Sequence, residues 1–427
     1  MAEVTGNYAK EVKIYRLADR GEIPSEMIAK AEVLPLEFLA RGDTCCCYRI
    51  GGGGSYAGWL LKEFRPCTSK RDENGAQINA NSPEFKAFEA MGEPVERLAD
   101  SYDHAKATFF EDPILYDTSL GKCYLYKKVA GEMVSNFMKE RRLMWKERLC
   151  QVLRIMVFVL NDLQKLHEAG MVHLDMKMEN TFVLFIDNEK DFRCRSIDLG
   201  SCMTLPPEKG WSKLTPGDFA STEGWYLGCD IEMITDFLKD YDDEDDEIKK
   251  NALRWLDLKA CMKMLLGLLL KYDPEVTGNL EVAKALLKGF FCSQSIAQNE
   301  VIHYLDVCDR LLAIVDHFDC CPFVNKTAEF YPLSEFRLDL YRLLAILGDD
   351  KLTPDEKEEK DAVNRDKLIH DNISAYCTEL LKNREKNQEW SFGDVLNDYE
   401  DFINNPNTKP EEYSVAGYCK HLLIQYL

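Results

Sequence analysis

Two stretches hold the residues best suited to chemistry: MVHLDMKMENTFVLFI, Met171 to Ile186, and CRSIDLGS, Cys194 to Ser201. Asp175 falls just beyond a long helical pattern, in a short loop before a strand. Asn180 follows in the same loop, and Asp198 ends the next strand ahead of Leu199-Gly200. Hard cations such as Mg2+ take oxygen ligands of this kind, with phosphate oxygens completing the shell. Lys177 adds a point charge beside Asp175. A carboxylate, an Asn and Asp able to hold metal, and a lysine form a set suited to phosphoryl transfer.

Elements on both sides must position this set. Trp145 to Ala169 carries apolar residues at helical spacing (Leu149, Leu153, Val157, Leu160, Leu163 and Leu166) and stops at Gly170. Thr181–Ile186 and Phe192–Ile197 then read as two short strands. Upstream, Glu37–Arg41, Cys45–Ile50 and Ala57–Phe64 read as three strands. Pro66 to Asn81 is polar and reads as a loop. Ser82-Pro83-Glu84 has the composition of a helix start, and Gly92 and Pro94 limit that helix. Ile114–Tyr116 and Lys122–Val129 read as a hairpin. Residues 1–30 give no firm assignment. From Leu253 onward helical patterns dominate. The expectation is an α+β chain, mostly β first and mostly helical after a boundary near Ala130–Glu132. DYDDEDDE, Asp240 to Glu247, reads as a solvated, disordered acidic insertion. KLTPDEKEEK, Lys351 to Lys360, introduces a helical tail. No internal repeat is evident.

The bulk properties narrow the partners. A chain of 427 residues exceeds one compact core. Its formal net charge of −21 repels phosphate backbones and anionic lipid, so neither nucleic acid nor a membrane is an expected partner. A basic protein or a metal–nucleotide is compatible with that charge. The first residues lack a signal-peptide core, no apolar run spans a bilayer, and no Cys-x-x-Cys pair occurs among the 16 cysteines. These features predict a cytoplasmic protein with reduced thiols serving as small core residues.

The segment His173-Leu174-Asp175-Met176-Lys177-Met178-Glu179-Asn180 resembles the protein-kinase catalytic loop, H-R-D-x-K-x-x-N, and Asp198-Leu199-Gly200 resembles the D-F-G metal motif. The chain is similar to serine/threonine protein kinases, as a divergent member, from about Val33 to Leu347. The resemblance implies a bilobal protein-kinase-like fold. It would comprise an N-terminal extension (1–30), a small β-rich lobe (31–130), a larger helical lobe (131–350, with the acidic insertion at 240–248) and a helical C-terminal extension (351–427). It implies ATP as cofactor with Mg2+, or Mn2+, and a protein hydroxyl as acceptor.

Roles carry over by motif position. Asp175 would be the catalytic base and Lys177 would neutralise the γ-phosphate. Asn180 and Asp198 would hold metal, and His173 would pack the loop. Trp59-Leu60-Leu61-Lys62 matches V-A-I-K, so Lys62 would grip the α- and β-phosphates. Its glutamate partner would be Glu89, with Glu84 the next choice. Tyr126 would be the gatekeeper, and Lys127, Lys128 and Val129 the adenine-binding hinge. In the phosphate loop, Ala40 to Tyr48, only Gly42 survives of three glycines. Ala40 and Cys45 take the other two places, and Cys47 would cover adenine. Gly51–Gly54 then reads as the hairpin tip between the second and third strands. Asp257 would open a helix and brace the catalytic loop.

Departures also matter. Leu174 stands where the family has an arginine that grips an activation-loop phosphate, so activity should not depend on phosphorylation there. Ser221 to Tyr226 match the substrate-positioning segment only loosely. A small-molecule kinase of the aminoglycoside or choline type and a pseudokinase scaffold are the alternative readings. The sequence leaves the oligomeric state open.

Overall fold

The computed structural model describes residues 10–16, 32–41, 45–64, 86–87, 90–92, 95–99, 114–117, 122–126, 131–140, 143–187, 191–219, 228–240, 245–271, 279–323, 329–384 and 391–426. The chain divides into two compact units. The first holds residues 1–130 with 168–171 and 198–204, and the second holds the remainder. A β-rich unit and a mainly helical unit give the α+β class the sequence predicts.

The first unit is a closed ring of strands in the order β1-β2-β3-β4-β7-β5-β6. They are β1 (Glu11–Arg16), β2 (Glu32–Arg41), β3 (Cys45–Ile50), β4 (Leu60–Phe64), β5 (Val95–Ala99), β6 (Ile114–Asp117) and β7 (Lys122–Tyr126). Alternation explains β1: Val12 and Ile14 are buried, while Glu11 and Lys13 face solvent. β1 closes the ring by pairing with both β2 and β6. Part of the expected N-terminal extension is therefore a strand of this unit. β5, also unassigned from sequence, pairs with β7 and runs parallel to β6.

The glycine run does lie between β3 and β4, but the connection is longer than a tight turn. Ile50 N donates to the Trp59 carbonyl at 2.8 Å, so Gly51 to Gly58 form the loop and β4 starts at Leu60 instead of Ala57. Gly52 (φ +82°) takes a conformation that suits glycine, and Gly51 N bonds the Pro35 carbonyl. Tyr56 folds back from this loop into the core, edge-on to Trp59. It packs there with Val12, Ile14, Leu34, Tyr48, Ile50 and Leu61. The tip is thus an anchored lid on the core, which a flexible two-residue turn could not be.

The second unit begins with β8 (Glu132–Met133), α1 (Val134–Glu140) and α2 (Trp145–Glu168). β9 (Met171–Val172), which straddles the unit boundary, leads to a hairpin of β10 (Thr181–Asp187) and β11 (Asp191–Ser196). β10 lies between β11 and β8. Next come α3 (Gly228–Asp240) and α4 (Asp246–Leu270). Leu253, Leu256, Leu258, Cys261, Met262 and Leu266 are buried around every side of α4, which marks it as the central helix.

Residues 241–244 of the acidic run lie outside the described residues, but its two ends belong to helices. Asp240 ends α3, Asp245 caps α4 by accepting from Glu247 N, and Asp246 and Glu247 fill its first turn. Negative charge is favourable at a helix N-terminus, so Asp245 to Glu247 serve as a helix start. Asp257 consequently lies mid-helix; it does not open the helix.

α5 (Leu280–Cys292), α6 (Val301–Asp316) and α7 (Leu333–Ile346) follow, and then the predicted helical tail: α8 (Lys357–Arg384), α9 (Phe392–Ile403) and α10 (Val415–Tyr426). The tail docks through both rings and charges. Phe392 stacks on Phe291, Arg310 pairs with Asp366, and His370 bonds Asp306. Cys377 and Cys419 are joined in a disulfide between α8 and α10, with Cα atoms 5.7 Å apart. Packing of two helices brings them together across 42 residues of sequence, a separation that matches no local motif.

Tyr399 on α9 donates to Asp309 on α6 at 2.8 Å. Burial pushes the Asp309 carboxyl up to about 6, despite the Tyr399 bond that opposes the shift. An acid whose folded pKa exceeds its unfolded value disfavours the fold when charged. That cost is complete above pH 6 and fades as the pH falls toward the ordinary carboxylate range. Asp309→Asn keeps an acceptor for Tyr399 and removes the charge. It should raise the melting temperature at about pH 8, by no more than about 3 kcal/mol of stability, and have little effect at about pH 4. A gain equal at both pH values in calorimetry would contradict this.

Candidate active site

The loop after α2 is built around one buried carboxylate. Asp257, 1% exposed on α4, accepts from His173 N at 2.8 Å and Leu174 N at 2.7 Å. His167 Nε2, at the end of α2, lies 3.1 Å from the same group. The expected brace is therefore present. Leu174 has φ +62°, a left-handed conformation that is costly for a bulky residue. Two bonds from Asp257 across consecutive amides hold it there. The Leu174 side chain is itself buried.

Past this anchor the polar groups converge. Lys177 Nζ lies 2.9 Å from both Asp175 carboxylate oxygens. Asn180 Nδ2 donates to the Asp175 carbonyl at 2.9 Å and to its Oδ2 at 2.8 Å. That orientation turns Asn180 Oδ1 away as an acceptor, as an oxygen ligand requires. Asp175 is 4% exposed, so its charge is balanced by these donors more than by water. His173 is fully buried, and its Nδ1 accepts from Asp175 N at 3.3 Å. Its Nε2 has no hydrogen-bond partner among the described residues.

The first unit carries its own part of the set. Lys62 is 6% exposed on β4, and its Nζ bonds Asp198 Oδ1 at 3.0 Å. Asp198 has φ +57° and a half-exposed carboxylate. Cys47 on β3 is directly opposite Lys62 in the ladder, and Tyr124 on β7 is opposite it on the other side. Tyr126 pairs with Leu60. Neighbouring Glu63 points to the other face, where it accepts from buried Tyr48 at 2.9 Å, a contact with no motif to announce it. Gly42, Glu84, Glu89, Lys127, Lys128, Val129 and the segment 221–226 lie outside the described residues.

Asp198 and Asn180 offer oxygen donors, which suit Mg2+ and not a soft metal. Among the described residues no three His, Cys, Asp or Glu side chains form a protein-only metal site. No helix among the described residues is long and apolar enough to cross a membrane.

No protein-family model matches the chain, and no curated protein matches it. Among solved structures it is similar to one described as the structure of vaccinia related kinase 3. The identity is 14% over 74% of this chain and 88% of that one, with a TM-score of 0.40.

Removing the Asp257 carboxylate leaves two buried amides unsatisfied and releases a left-handed Leu174. Asp257→Ala should cost about 3 kcal/mol or more and raise amide exchange at residues 172–176. A variant as stable as the native chain in denaturant titration would show that the brace is dispensable.

Proposed function

We propose that the chain is an ATP- and Mg2+-dependent phosphotransferase that phosphorylates protein serine or threonine hydroxyls. The observation that carries this reading is the Asp175–Lys177–Asn180 triad in a buried loop held by Asp257. Asp175 would orient the acceptor hydroxyl and take its proton. Lys177, tethered to Asp175, would place positive charge beside the transferring phosphoryl group. Lys62 would hold the α- and β-phosphates. Asn180 and Asp198 would hold Mg2+, which when bound supplies charge neutralisation to the phosphates. A lysine two residues after the base favours protein hydroxyls over the small-molecule acceptors of aminoglycoside-type kinases. A net charge of −21 favours a basic acceptor protein.

Transfer of labelled γ-phosphate from Mg-ATP to a basic protein, and to the chain itself, tests the proposal. Asp175→Asn and Asp198→Asn should each lower the rate at least about a hundredfold. Prior phosphatase treatment should leave the native rate unchanged, because Leu174 cannot grip a phosphate. Equal labelling by all three proteins, or none by any with Mg2+ or Mn2+, would overturn it.

A further inference from the structure

Asp162 lies on α2, surrounded by the apolar residues of that helix, and is 4% exposed. It is neither in the loop that carries Asp175 nor next to it in sequence. Its Oδ2 accepts from Ser196 N, the last residue of β11, at 2.9 Å. Its Oδ1 accepts from Lys165 Nζ at 3.1 Å, and the Arg195 guanidinium lies 3.7 Å away. Burial, and then the charge of Asp162, push the nearby Cys194 thiol well above its usual range.

Strand geometry shows what this carboxylate does. β11 is the edge of its sheet, paired on one side with β10. Thr181 and Ser196 are register partners, and the next residue, Ile197, donates its N–H to the Asn180 carbonyl at 2.8 Å. Ser196 N–H therefore points away from β10, toward the unpaired side. An outward amide at an edge ordinarily binds water, but this one is buried and takes the Asp162 carboxylate instead. The chain of contacts runs Asp162 to Ser196, through the Ile197 peptide to Asn180, and from Asn180 Nδ2 to Asp175. Asp198 follows Ile197 directly.

We propose that Asp162 is a positioning residue for phosphoryl transfer: it clamps the end of β11 and so fixes the backbone from which Asn180 presents its metal-binding oxygen. The proposal rests on the phosphotransferase reading. Asp162 touches neither substrate nor metal. Because its acceptor oxygen matters more than its charge, asparagine should substitute and leucine should not.

The test compares native chain, Asp162→Asn and Asp162→Leu by two readouts. Hydrogen exchange should rise in Asp162→Leu across residues 192–198 and 178–182, while α4 stays protected. The Mg2+ concentration for half-maximal transfer should rise about tenfold in Asp162→Leu and stay within about twofold in Asp162→Asn, with the KM for acceptor protein little changed. An active Asp162→Leu with native Mg2+ dependence overturns the proposal and leaves the phosphotransferase reading intact, as does unchanged exchange at 192–198. General loss of protection throughout the second unit also overturns it, since the role is then only structural. A folded native chain without Mg-ATP-dependent transfer removes the parent reading, and the proposal with it.

Discussion

The charge of Asp257 sits in the middle of a helix that is buried on every side, so its neighbours must satisfy it. The groups that do so are the amides of His173 and Leu174 and the ring of His167. Removing one partner from a buried charge costs about 3–5 kcal/mol, so the chain leaving α2 has little freedom. That restriction holds Leu174 left-handed and sets the direction in which Asp175 leaves the loop. Lys177 and Asn180 then close on Asp175 over a few residues. The helix that forms the core of the second unit is thus also the reference point for its polar loop.

A second layer of constraint comes from strands. In the first unit, the β3-β4-β7 ladder sets Cys47, Lys62 and Tyr124 in one row. The alternate face of β4 sends Glu63 inward to Tyr48. Lys62 is nearly buried, and its bond to Asp198 compensates its charge. In the second unit, the hairpin end is gripped from both sides, by Asn180 through Ile197 and by Asp162 through Ser196. Asp162, like Asp257, is a buried carboxylate on a long helix whose buried side chains are mostly apolar. The two carboxylates concentrate rigidity where metal-binding oxygens would need it.

Local patterns were legible where a few adjacent residues set the outcome. His173 to Asn180 and Asp198-Leu199-Gly200 stood out as local motifs, Lys62 only through its resemblance to V-A-I-K, and the long helix before them through its apolar period. The hairpin β10-β11 was legible to within a residue at each end. Contacts between distant residues were not. Asp162 is one acid within a 24-residue helix, and nothing near it in sequence names Ser196, 34 residues away, as its partner. Cys377 and Cys419 pair for the same kind of reason. At the end of the acidic run, Asp245 to Glu247, composition alone does not distinguish a solvated loop from acids placed at a helix start. Residues 1–30 gave no firm assignment, because the place of β1 in the ring depends on a partner strand about a hundred residues away.

The proposed activity requires that the chain bind a metal–nucleotide complex. Melting temperature in ATP, with Mg2+ or with excess chelator, tests it most directly. Ligand at about one hundred times its dissociation constant stabilises by about 2.7 kcal/mol. The native chain should therefore melt several degrees higher in Mg-ATP than in ATP with chelator, and Asn180→Ala with Asp198→Ala should abolish that difference. Identical melting with and without Mg2+, or a Mg2+-dependent shift that survives the double substitution, would contradict it.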